Sequence, residues 1–106
     1  MSFRLMAVVA IACIGVQPAF ANPFAQCSLN ADKSKLVLNV SNGSADAFAC
    51  TASCKYTIAS ERPLRTLDCN YSLAANTSDK VACDVDGDGP GYFAEVRPTR
   101  FVCQPR

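Results

Sequence analysis

From Leu5 to Val16 the chain is almost wholly apolar; Arg4 precedes the run with a single positive charge, and Gln17 and Pro18 end it. Such a run is too short for a bilayer core, which takes roughly 20 residues. Ala19-Phe20-Ala21 then supplies the small-x-small triplet that a signal peptidase admits. Residues 1–21 are therefore predicted to be a cleaved signal peptide, and residues 22–106 a single disulfide-rich β domain. A lipoprotein signal ending at Cys13 is the weaker alternative, because Ala10 stands where a leucine is usual.

Beyond this leader the pattern changes to period two. From Phe48 to Ala59 the even positions read Phe48, Cys50, Ala52, Cys54, Tyr56 and Ile58, and the odd ones Ala49, Thr51, Ser53, Lys55, Thr57 and Ala59. One apolar face per two residues predicts a half-buried strand. The alternation returns with Leu67, Cys69, Tyr71 and Leu73 against Thr66, Asp68, Asn70 and Ser72, and again with Val81, Cys83 and Val85 against Lys80, Ala82 and Asp84. Shorter strands are predicted at Gln26 to Leu29, Lys35 to Ser41, Tyr92 to Val96 and Arg100 to Cys103. Turn chemistry separates them, at Ala31-Asp32-Lys33-Ser34, Asn42-Gly43-Ser44, Glu61-Arg62-Pro63, Asn76-Thr77-Ser78 and Asp86 through Gly91. About seven short strands without a helical period predict an all-β fold, a small antiparallel two-sheet sandwich of immunoglobulin-like or fibronectin-like type, although the usual core tryptophan is missing.

Six cysteines, Cys27, Cys50, Cys54, Cys69, Cys83 and Cys103, remain once Cys13 leaves with the signal. A domain this short buries too little apolar surface to be secure unaided, so the even count predicts three disulfides. Zinc is disfavoured, since there is no histidine and no short paired thiol spacing. Cys50 and Cys54 lie about 13 Å apart on one strand and cannot pair. A hairpin turning near Ser60 to Leu64 favours Cys54 with Cys69; the other pairings stay open. The spacing Cys50-Thr51-Ala52-Ser53-Cys54, then Leu67-Asp68-Cys69, Val81-Ala82-Cys83 and Cys103 resembles small exported cysteine-rich β-proteins of α-proteobacteria. The resemblance covers Val37 to Cys103. It implies an exported compartment, periplasmic or secreted, and a β-sandwich, with no chemistry attached.

Charge narrows the partners. Past the leader, four lysines and five arginines meet seven aspartates and two glutamates. With no basic face and no acidic tail, the mature chain is expected to bind neither nucleic acid nor membrane, and a specific protein or envelope partner is the expectation.

The sharpest local motif runs from Asp84 to Glu95, Asp-Val-Asp-Gly-Asp-Gly-Pro-Gly-Tyr-Phe-Ala-Glu, which matches the calcium-loop spacing. Carboxylates at loop positions 1, 3 and 5 (Asp84, Asp86, Asp88) with Glu95 at position 12 can converge on one hard cation. Its flanks read as strands rather than helices, so the alternatives are a calcium-binding turn between strands or a hairpin turn in which Asp and Gly serve the backbone. Asn39, Asn42, Asn70 and Asn76 each open an N-x-S triplet, a glycan acceptor in a eukaryotic secretory pathway. The alanine-rich leader favours a bacterium, where these are Asn and Ser in turns and outward strand positions. Catalysis finds no histidine, no free thiol and no nucleophile elbow. Tyr92, Phe93 and Phe101 read as core more than as a binding surface. The expectation is a non-enzymatic exported binding or structural module, with a calcium-dependent module and a secreted inhibitor or effector of a foreign enzyme as alternatives.

Overall fold

A computed structural model describes residues 22–106. The predicted signal peptide lies outside the described residues. Seven strands follow, β1 (Pro23–Leu29), β2 (Lys35–Asn42), β3 (Phe48–Ile58), β4 (Arg65–Leu73), β5 (Thr77–Asp86), β6 (Phe93–Val96) and β7 (Arg100–Pro105). All pairings are antiparallel. One sheet has the order β1-β2-β5, and in the other β3 is central, with β4 on one side and both β6 and β7 on the other. The two-sheet sandwich class holds, with its own strand order. In constant-type immunoglobulin domains the fourth strand lies beside the fifth; here it pairs with the third.

β6 and β7 follow one line along the same edge of β3. Val96 faces Tyr56 and Arg100 faces Ser53, and between them residues 97–99 interrupt the ladder. Pro98 causes the break, since it has no N–H to give. Arg97 N still donates to Lys55 O (2.8 Å), and the Thr99 hydroxyl oxygen accepts from Cys27 N (2.7 Å), tying this edge to β1 of the other sheet.

The core lies between the sheets and follows the alternation. Leu36, Leu38 and Val40 of β2 meet Cys50, Ala52, Cys54, Tyr56 and Ile58 of β3, with Cys69 and Leu73 of β4 and Phe93 of β6. The third predicted copy departs from expectation. A bulge sets Leu38 against Cys83 but Asn39 against Val81, which turns Val81 to the outer side with Asn39, and a second register shift follows before Asn42 meets Thr77. Val81 is consequently 47% exposed, and Ala82 packs against the core instead.

Three disulfides form, and all six described cysteines are used. Cys27–Cys54 and Cys69–Cys83 cross between the sheets, and Cys50–Cys103 joins neighbouring positions of β3 and β7. The expected Cys54–Cys69 pair is corrected. The hairpin register sets Cys54 against Leu67 and Cys69 against Ala52, so both cysteines point inward and each meets a cysteine of the other sheet. Closing loops of 27, 53 and 14 residues in the unfolded chain contributes about 3–4 kcal/mol per bridge by chain entropy.

Candidate binding surface

The acidic loop does not gather its four carboxylates. Asp84 and Asp86 lie in β5, where both face Lys35 across the ladder, with its Nζ at 3.6 and 3.4 Å. Asp88 is exposed in the loop, and Glu95 stands in β6 opposite Thr57, in the other sheet. Among the described residues no group of three or more His, Cys, Asp or Glu side chains is placed to hold a metal ion.

Main chain is what holds the loop. Gly87 N donates to Ser34 O (2.8 Å), Gly91 N to Asp32 O (2.7 Å) and Phe93 N to Lys33 O (3.0 Å). A Cβ on Gly87 would lie 2.5–2.7 Å from Tyr92, and Gly91 has φ of 74°, so both glycines answer backbone and packing requirements. Phe93 is core, edge-on to Tyr56 at 5.6 Å and to Tyr92 at 4.9 Å. In the facing turn Asp32 Oδ1 accepts from the Ser34 hydroxyl (2.5 Å) and amide (3.1 Å), and the hydroxyl bond above all holds that carboxyl below its ordinary range.

Asn42 corrects the reading of the N-x-S triplets as turn and outward positions. It ends β2 on the core face and is fully buried. Its Nδ2 donates to Asp46 O (2.8 Å) and Ala74 O (3.0 Å), and its Oδ1 accepts from Ser44 N (3.0 Å). This amide joins the β2–β3 and β4–β5 connections and is closed to any glycan.

A surface that the sequence reading did not single out lies on the outer face of the β3 sheet. Outward side chains form three rows across the strands: Ser72, Ala49 and Gln104; Asn70, Thr51 and Val102; Asp68, Ser53 and Arg100. Asn70 and Asp68 on one flank and Gln104 and Arg100 on the other outreach Ala49, Thr51 and Ser53 of the central strand, which makes a trough along β3. Two hollows of about 540 and 330 Å³ lie in it end to end, sharing Thr51, Asn70 and Val102. From Ala49 to Ser53 the floor runs about 13 Å, with walls about 10 Å apart at normal strand spacing. Val102 is 63% exposed in one wall. None of the trough's hydroxyl or amide side chains, nor Asp68 or Arg100, hydrogen-bonds to another described residue. Elsewhere Asn30, Ser34, Asn42, Ser44 and Thr77 spend theirs on turns.

A second concavity of about 450 Å³ lies where β1 meets the break at residues 97–99, between Phe24, Ala25, Val96, Pro98 and Phe101. Phe24 is half exposed and meets Phe101 edge-on at 6.1 Å, so part of its apolar surface is already covered within the domain. On the inner face of the β3 sheet, the Tyr71 hydroxyl is buried with no hydrogen-bond partner among the described residues, and desolvation raises its pKa.

No helix of the described residues is long and apolar enough to cross a membrane. Compared with protein-family models, with characterised proteins and with solved structures, the chain matches none of them.

Proposed function

We propose that the protein is an exported, non-enzymatic binding module that uses the trough of the β3 sheet as its ligand-contacting face. The observation that carries this reading is the contrast in that face: hydroxyls and amides collected around two adjoining hollows, with no side-chain partners among the described residues, on a sheet held by disulfides. Export is supported by the leader and by three disulfides in a domain of this size, which belong with an oxidising compartment. A binding role rather than catalysis is supported by what lines the trough. Thr51, Asn70, Ser72 and Gln104 do not exchange protons near neutral pH, and in the third row the Ser53 hydroxyl makes no hydrogen bond to the Asp68 carboxylate opposite it.

Expression of the full chain in a bacterium tests the exported part. The expected product is found outside the cytoplasm, begins at Asn22 by mass spectrometry and shows no reactive thiol when denatured. A cytoplasmic product that retains residues 1–21 and carries free thiols would overturn it.

A further inference from the structure

The ligand class can be read from the chemistry of the trough, an inference that rests on the binding reading above. We propose that the trough binds a neutral, hydroxyl-rich chain, an oligosaccharide or polysaccharide segment, lying along β3. The first two rows, Ser72-Ala49-Gln104 and Asn70-Thr51-Val102, hold no charge. The third holds one of each sign, Asp68 and Arg100 on opposite walls with Ser53 between them. A cationic ligand is drawn to one wall and repelled by the other, and so is an anionic one. A neutral ligand uses both walls, the carboxylate as acceptor and the guanidinium as donor.

Hydrogen-bond capacity points the same way. Thr51, Ser53, Ser72, Asn70 and Gln104 each offer a donor and an acceptor, which matches a ligand whose hydroxyls also do both. An extended peptide instead presents backbone N–H and C=O groups that are best met by the free edge of a sheet, and the trough lies on a face. Val102 supplies an apolar spot in the wall for the C–H side of a sugar ring. The length of the floor, about 13 Å over two hollows end to end, suits an elongated chain over a single compact molecule.

Affinity electrophoresis of the oxidised mature domain in native gels containing a soluble β-glucan, an α-glucan or a galactomannan, with alginate as an anionic control, tests the proposal. At least one neutral polymer is expected to retard the domain, and alginate is not. Thr51→Trp, which fills the floor, is expected to abolish the retardation. The double variant Asn70→Ala/Gln104→Ala, which removes two amides and leaves the hollow open, is expected to weaken it about tenfold. Phe24→Ala, in the other concavity, is expected to change nothing. Both trough variants alter exposed side chains, and unchanged circular dichroism shows that they fold. Failure of every neutral polymer, retardation by alginate alone, or retardation that survives Thr51→Trp would each overturn the proposal. None of these outcomes touches export, which is decided by the location and N-terminus of the product.

Discussion

The two ends of the sandwich are closed by opposite means. At one end a single buried side chain, Asn42, joins two connections through three hydrogen bonds to main chain, at Asp46, Ala74 and Ser44. At the other end the acidic loop is joined to the β1–β2 turn through three backbone bonds, with the Tyr92 ring over Gly87. Its aspartates point to solvent or to Lys35. The end with the conspicuous motif is held by main chain and glycine, while the end with an ordinary Asn-Gly-Ser turn depends on one amide. Motif density along the chain is thus a poor guide to where stability is concentrated.

Substitution at Asn42 is the strongest way to break the contrast. Asn42→Ala removes all three bonds and leaves Ser44 N without its acceptor, while Asp46 O keeps the Ser44 hydroxyl and Ala74 O keeps the Thr77 hydroxyl as donors, so each lost bond costs about 1 kcal/mol. A total of about 3 kcal/mol is expected, a fall in the thermal midpoint of roughly 12–24 °C for a domain of this size. Asn42→Asp sharpens the test. A carboxylate facing the Asp46 and Ala74 carbonyls is repelled by both and poorly solvated, so its folded pKa is raised above the unfolded value. The acid is then favoured in the fold, and the destabilisation grows as pH rises through the unfolded pKa. Asn42→Asp should unfold at a lower temperature at pH 7 than at pH 4, relative to the parent at each pH. Equal losses at both would show that the site is open to water.

Gly87→Ala is the next largest. The added methyl meets Tyr92 at 2.5–2.7 Å, including the Cβ, which cannot rotate away. Overpacking of this kind costs about 1–3 kcal/mol. Gly89→Ala is the internal control, since nothing lies within 4 Å of its added methyl. A loss at Gly87 with little change at Gly89, read from chemical denaturation, would confirm that packing rather than loop charge shapes this end. Equal effects would return the weight to loop flexibility.

How far the sequence could show these things follows from how local each one is. Alternation in β3 and β4 is uninterrupted, so strand extent and inward positions from Cys50 to Ile58 and at Cys69 and Leu73 could be read directly. In β5 a bulge shifts the register near Val81, and no local residue pattern announces it. Disulfide partners depend on which side chain of the facing sheet lies opposite, a distance across the core that hairpin length does not determine. Asn42 was legible in principle, because Leu36, Leu38, Val40 and Asn42 share one parity along β2; its turn chemistry concealed this. The trough was not legible. Thr51 and Ala49 look like any solvated strand face until Asn70 and Val102 stand on either side of them.

The smallest expected effect belongs to the most conspicuous residues. Asp84 and Asp86 share Lys35 at 3.6 and 3.4 Å, and all three side chains are well exposed, at 45%, 77% and 42%. Exposed ion pairs of this sort are screened by water and salt and contribute little. Asp84→Asn/Asp86→Asn is expected to move the thermal midpoint by less than about 3 °C at moderate salt. Calcium is the sharper probe, because a calcium site of this motif needs Glu95 to close the shell, and Glu95 stands on the opposite sheet from Asp84 and Asp86. Bringing it over would require β6 to leave β3, breaking the ladder that seats Phe93 in the core. Midpoints in about 5 mM calcium and in excess chelator are therefore expected to coincide, since a ligand held only by the folded state would raise the first above the second. A rise in calcium that vanishes in the double variant would show that the carboxylates converge after all, and the two ends would then differ in ligand as well as in construction.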